Sequence, residues 1–305
     1  MSALSRVRAA YARIEAVDRP EIWIDLRDQQ DVEAEARAVD ERAAAGARLP
    51  LAGRLFAVKG NIDVAGLPTT AGCPAYAFHP HTDAPVVARL RAAGAIVLGT
   101  TNLDQFATGL VGTRSPYGAV RNAHDPARVS GGSSSGSAVA VALGIVDLAL
   151  GTDTAGSGRV PAAFNGIVGL KPTRGLVPTA GVVPACASLD CVTVFARTLP
   201  EAEQALSFMA SPAARDLPAL PQRTPGPWRV AVPALVQLAE PAGGGDGDAP
   251  RAGGALGEGG RRPTTRRWNG SGPRAPTYAS WTSPRSRRPP RCCTKAPSWP
   301  SATQP

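Results

Sequence analysis

The sequence predicts an α/β fold: a mixed, mainly parallel β-sheet flanked by helices on both faces. Three observations carry this. Short apolar runs recur at Leu55–Val58, Ile96–Leu98 and, interrupted only by Asp147, Ile145–Leu150. Runs of this length without polar alternation are typical of buried strands. Helix-length segments with one apolar face stand between them, notably residues 84–93 and 137–143. Strands alternating with helices at this spacing build parallel sheets with crossover helices.

Taken in order, residues 5–16 read as a helix with Ser5 as N-cap and Val7, Tyr11 and Ile14 on one face. Ile22-Trp-Ile24 is a short apolar patch. A second helix is predicted over 31–45, with Val32, Ala36, Val39 and Ala43 in register and Gly46 as its stop. The strand Leu55–Val58 ends at Lys59-Gly60-Asn61. Turn signals follow at Gly66-Leu-Pro68 and Ala71-Gly-Cys-Pro74. Helix 84–93 turns Val86, Val87 and Leu90 inward and closes at Gly94. After the strand Ile96–Leu98, Asn102–Phe106 is expected to begin another helix. Ser137–Leu143 is a helix closed by Gly144, and Ile145–Leu150 a strand delivering the loop Gly151–Gly158. Pro161 suits a first helical turn. Val168–Pro172 leads into Thr173–Pro178, and Val192–Phe195 is a strand. Thr198-Leu-Pro-Glu201 forms a capping box opening a helix through Met209, and Arg229–Val232 reads as a last strand.

Composition divides the chain near residue 240. Residues 1–240 carry 22 basic and 21 acidic side chains. Residues 241–305 carry ten Arg and one Lys against Asp246, Asp248 and Glu258, so the net charge of +9 belongs almost wholly to them. The body therefore gives no support for a nucleic-acid partner. The tail has eleven Pro, eleven Gly, a single Leu (Leu256) and no Val, Ile, Phe or Met. Such a segment cannot bury enough apolar surface to offset its ordering entropy. The expected organisation is a catalytic-type domain over 1–240 and a low-complexity tail over 241–305, disordered or out of frame. Its Arg/Pro/Gly/Ser composition resembles out-of-frame translation of a GC-rich gene. A natural basic tail that binds nucleic acid is the alternative. Cys73, Cys186, Cys191, Cys292 and Cys293 match no zinc or disulfide framework and suit a reducing compartment. Met1–Arg8 lacks an apolar signal core, and no run spans a membrane. The expectation is a cytoplasmic protein without a membrane partner.

The chemistry concentrates in two Gly/Ser loops. Gly131-Gly-Ser-Ser-Ser-Gly-Ser137 precedes a helix, and Gly151-Thr-Asp-Thr-Ala-Gly-Ser-Gly-Arg159 follows a strand. The first lacks a Gly-Lys-Ser/Thr end, so it is not a nucleotide P-loop, and it is no dinucleotide loop either. An anion cradle or a linker are its bland readings. Gly132–Gly136 has the Gly-x-Ser-x-Gly form with Ser134 central, but not clearly on a strand-to-helix turn. A serine nucleophile needs a base. His79, His81 and His124 are the only histidines, and nothing marks one of them for the role. Lys59, at the end of an apolar strand, is the better candidate. Burial disfavours its ammonium form, although an ordinary strand-end lysine would look the same.

Together these stretches, with Gly169-Leu-Lys-Pro-Thr173 and Phe56-Ala-Val-Lys-Gly-Asn-Ile-Asp-Val-Ala-Gly66, resemble the amidase signature family over about residues 5–238. Within it, Thr101–Tyr117 and Gly181–Phe195 are most similar to the allophanate hydrolase branch of urea breakdown. The resemblance implies an amidase-signature fold and a Ser-cisSer-Lys triad: Ser157 as nucleophile, Ser133 as bridging serine after a cis peptide, Lys59 as base. It implies an oxyanion hole from backbone N–H groups of Thr154, Ala155, Gly156 and Ser157, with Ser134, Asp153 and Arg159 in support. Ser134 is either a network member or loop filling. Arg159 is favoured as a brace of the loop over a substrate-carboxylate ligand. The implied substrate is a small amide, allophanate; no metal or organic cofactor is implied, and a homo-oligomer is admitted.

The chain departs from the family pattern in three places. Gly60 follows Lys59 where the family usually has Asp, so a carboxylate near the base is missing. Asn165-Gly166 replaces a usual Asn pair. The family fold also continues well past position 238, so the C-terminal part is expected to be missing. The alternatives are another amidase, the glutaminase-type component of an amidotransferase, and an inactive frameshifted fragment.

Overall fold

The computed structural model describes residues 1–211; Arg229–Val232, the boundary near 240 and the tail lie outside the described residues. Six strands form one sheet: β1 (Trp23–Leu26), β2 (Leu55–Lys59), β3 (Ile96–Thr101), β4 (Leu148–Asp153), β5 (Val168–Leu170) and β6 (Cys191–Ala196). Their order is β1-β3-β2-β4-β6-β5. The centre, β3-β2-β4, is parallel, whereas β1 joins β3 and β6 joins β4 antiparallel. β5 pairs antiparallel with β6, so it runs with the central strands.

Side-chain alternation along the strands sorts the core into two layers. Ala57, Ile96, Leu98, Ala149 and Phe195 face one side. There they meet α1 (Ala3–Val17), α2 (Gln29–Ala44) and α4 (Ser135–Ala142) through Val7, Val32, Val39, Val139 and Val141. Phe56, Val58, Val97, Leu148, Leu150 and Val194 face the other side. There they meet α3 (Pro85–Ala92) and α6 (Leu199–Met209) through Val86, Val87, Leu90, Ala205 and Met209. A short α5 covers Arg159–Phe164. The expected helices on both faces are therefore present.

Several boundaries move for identifiable reasons. α1 starts at Ala3 because Ser2, not Ser5, is the cap: its Oγ accepts from Ser5 N at 3.2 Å. Asp28 caps α2 two residues earlier than the apolar register suggested, accepting from Gln30 N at 2.7 Å. Thr198 and Glu201 form the predicted capping box of α6. β4 begins only at Leu148 but runs on to Asp153, because Gly151, Thr152 and Asp153 still pair with Thr193, Val192 and Cys191 of β6.

Asn102–Phe106 does not open a helix. Only a three-residue 3-10 turn forms at Gln105–Ala107, and Phe106 and Ala107 take φ of 50° and 57°. The cause is Asp104, whose buried carboxylate accepts N–H groups from Val111 (3.1 Å), Gly112 (3.0 Å) and Arg114 (2.9 Å). The chain must curl round that side chain, and left-handed residues let it do so.

Candidate active site

β2 and β4 are parallel neighbours, with Val58 opposite Leu150, so their C-terminal ends emerge side by side. Ligand sites of open α/β sheets form at such ends. Lys59 ends β2 and is fully buried. Its Nζ donates to Ser133 Oγ at 2.8 Å and to Thr152 Oγ1 of β4 at 2.7 Å. Burial pushes its pKa down from 10.5 to about 7, against the charges of Asp104, Asp153 and Asp190, which pull it up. A substantial fraction is thus neutral near pH 7 and can accept a proton. The carboxylate that Gly60 does not supply has three counterparts brought from distant parts of the chain.

Ser133 follows a cis Gly132–Ser133 peptide and is buried. Its neighbour Ser134 fastens the first loop to β4. Ser134 Oγ donates to Thr152 O (3.1 Å) and accepts from Thr152 N (3.3 Å). The Ser134 N–H donates to Ser157 O at 3.2 Å, which brings the two Gly/Ser loops into direct contact. Ser157 is only 3 % exposed, and its Oγ donates weakly to Gly109 O at 3.5 Å. The structure therefore joins Ser133 and Lys59 directly, and reaches Ser157 through the backbone of Ser134.

Asp153 organises the second loop. Its carboxylate accepts N–H from Gly156 (2.8 Å), Gly158 (3.2 Å) and Arg159 (3.2 Å). The Arg159 guanidinium adds a two-pronged ion pair at 2.9 and 3.0 Å. Burial alone would raise the Asp153 pKa; the Arg159 side chain and the backbone N–H groups of Gly156 and Arg159 outweigh it and hold the carboxyl below its usual value. Arg159 is committed to this ion pair, although its side chain is 55 % exposed. The Gly156 N–H is also committed to Asp153. The N–H groups of Thr154, Ala155 and Ser157 meet no acceptor among the described residues, and so form the loop's free donors. Of the four N–H groups expected to face an oxyanion, three are uncommitted.

Four residues of the site were not singled out in the sequence. Thr152 shares Lys59 with Ser133, and a hydroxyl directly after the apolar run Leu148–Leu150 is the signal that could have marked it. Asp104 accepts the loop N–H groups of Val111, Gly112 and Arg114, and Asp190 joins the N–H groups of Ala185 and Cys186 to the distant Thr154 hydroxyl, pairings that no short motif reveals. Asn61 Nδ2 lies 3.5 Å from Thr152 Oγ1 and exchanges hydrogen bonds with Val183. The histidines stand apart. His79 and His81 are exposed, and His124 Nε2 pairs with Asn165 O at 2.9 Å. Among the described residues no cluster of His, Cys, Asp and Glu is placed to hold a metal, and no helix is long and apolar enough to cross a membrane.

Gly132 has a steric duty at this site. A Cβ there would overlap the Asp104 carboxylate and lie 2.7 Å from Gly112 N. Gly132→Ala should lower the denaturant midpoint by the equivalent of about 2 kcal/mol or more, since backbone must move to relieve the overlap. Urea unfolding followed by circular dichroism checks this.

A buried lysine with a lowered pKa, hydrogen-bonded to a serine and set beside a second loop with free N–H donors, defines a site suited to acyl transfer on an α/β scaffold. The amidase family profile matches residues 5–236, and the chain belongs to that family. It is 54% identical over 218 residues to urea amidolyase of Lachancea kluyveri, an alignment covering 69% of this chain and 12% of that protein. It is 49% identical over 191 residues to a glutamyl-tRNA(Gln) amidotransferase subunit of Streptococcus thermophilus, covering 62% of this chain and 39% of that protein. The allophanate hydrolase structure of Kluyveromyces lactis superposes with a TM-score of 0.64 at 50% identity, covering 70% of this chain and 35% of that one. The chain thus spans a minor part of the length of each of these relatives.

Proposed function

We propose that this chain carries the catalytic half of an amide hydrolase acting on allophanate. The observation that supports it best is Lys59 Nζ at 2.8 Å from Ser133 Oγ, in a setting that lowers the lysine to about pKa 7. In this reading Ser157 Oγ attacks the terminal amide carbonyl of the substrate. Its proton passes to Ser133, whose own proton goes to Lys59. The N–H groups of Thr154, Ala155 and Ser157 face the developing oxyanion; a single such donor is worth about 3 kcal/mol in serine hydrolases. Collapse of the intermediate expels ammonia, which takes the proton from Lys59. Water then enters by the same relay, attacks the acyl-enzyme and restores Ser157. The carbamate product breaks down to carbon dioxide and further ammonia. Asp153 and Arg159 hold the second loop in this scheme, and Ser134 ties it to the first.

The substrate is supported by the urea amidolyase and allophanate hydrolase relatives, at about half identity. The likeness to the amidotransferase component supports a second reading, a glutaminase-type amidase. Ammonia release by the full chain from allophanate, simple aliphatic amides and glutamine separates the two. Release from allophanate is expected. Release from glutamine or simple amides alone would replace the first reading by the second.

A further inference from the structure

We infer that Asp190 is a positioning residue for the proposed reaction, holding the near half of the Ser157 loop through the Thr154 hydroxyl. The inference rests on the reading of Ser157 and Lys59 given above. Asp190 directly precedes β6 and is 5 % exposed. Its carboxylate accepts a hydrogen bond from Thr154 Oγ1. It also accepts the N–H groups of Ala185 and Cys186, each at 3.1 Å.

Asp153 grips only the far half of the loop, at Gly156, Gly158 and Arg159. The near half, Thr154 and Ala155, carries two of the three uncommitted N–H donors, and Asp190 is its side-chain anchor. The segment leading to Asp190 is tied to the other side of the site as well. Val183 N donates to Asn61 O at 2.8 Å, and Asn61 Nδ2 donates to Val183 O at 3.1 Å, two residues past Lys59. One short stretch, 183–190, therefore bridges the end of β2 and the nucleophile loop, reinforcing the direct pairing of β2 with β4. An error of about 1 Å in such a constellation costs on the order of 100-fold in rate.

Asp190 acts on Lys59 by charge too. The carboxylates whose charges reach Lys59 are Asp104, Asp153 and Asp190, and Asp153 is already paired with Arg159. Lys171 is a further cation beside β6, with Nζ 3.9 Å from Cys191 Sγ. Removing the Asp190 charge lowers the Lys59 pKa; removing the Thr154 hydroxyl does not.

The test uses the full chain labelled with carbon-13 lysine. Lys59, Lys171 and Lys295 are its only lysines, so the Lys59 resonance is assignable. Asp190→Asn and Thr154→Val should both speed amide exchange at residues 154–157. Only Asp190→Asn should move the Lys59 titration midpoint downward, and Thr154→Ser should restore slow exchange. In turnover, both variants should lose about 10- to 100-fold in kcat with little change in KM. Unchanged exchange in both variants, or an unmoved Lys59 midpoint in Asp190→Asn, overturns the inference. The exchange and titration readouts need no turnover. A chain that hydrolyses none of the amides would refute the proposed function while these two still decide the role of Asp190.

Discussion

Ser157→Ala abolishes covalent labelling by a fluorophosphonate probe and lowers amide hydrolysis by about 10⁴-fold or more. The size follows from removing the atom proposed to form the acyl bond; loss of a serine nucleophile leaves only the residual effect of binding and oxyanion donors. The fold should survive, because Ser157 Oγ makes just one long hydrogen bond, to Gly109 O at 3.5 Å. Its backbone O, which accepts from Ser134 N, is untouched by the change. Mass spectrometry of the labelled peptide reads the result. Labelling that continues at the wild-type rate in Ser157→Ala would place the nucleophile at Ser133 or Ser134. Both lie on the facing loop, but Ser134 Oγ is already engaged with the backbone of Thr152.

Lys59→Met removes the proposed base and should lower kcat/KM by about 10³-fold, within the range of general-base effects. In the wild type, kcat/KM should rise with pH and level off above about 7, where Lys59 becomes neutral. Lys59→Arg cannot replace it, because a guanidinium stays charged at any working pH. The same lysine sets a stability trend. Its folded pKa, about 7, lies below the ordinary 10.5 of the unfolded chain. Between these values the unfolded state binds the extra proton, so stability rises with pH across that window. Going down from above 10.5 to below 7 costs at most on the order of 5 kcal/mol. Lys59→Met should flatten this part of the curve, as read from urea midpoints between pH 7 and 10. An equal slope in variant and wild type would show that Lys59 titrates normally in the folded protein.

Much of the framework was legible in local patterns. The strand cores Leu55–Val58 and Ile96–Leu98, and Val192–Phe195 with Thr193 as its one polar residue, stand out because burial on both faces demands apolar runs. The Thr198–Glu201 box marks its helix because capping is satisfied within four residues. Strand ends and the helix expected at Asn102 were not legible. Gly151–Asp153 continues β4 only because β6 pairs with it, and Asn102–Phe106 curls only because Asp104 finds N–H partners as far away as Arg114.

The division at the site has the same physical root. From the sequence alone came the apolar strand ending in Lys59, the two Gly/Ser loops bearing Ser133 and Ser157, and the balance of charge between body and tail. Those are properties of residue type and near neighbours. The tertiary structure decided the state of the lysine. Its burial lowers the pKa, and Asp104, Asp153 and Asp190, dispersed over nearly ninety positions, oppose that lowering. It also decided which loop N–H groups are free, since Asp153 claims that of Gly156 and leaves Thr154, Ala155 and Ser157 uncommitted. Desolvation and charge act through space, and only the folded chain brings these groups within reach of one another.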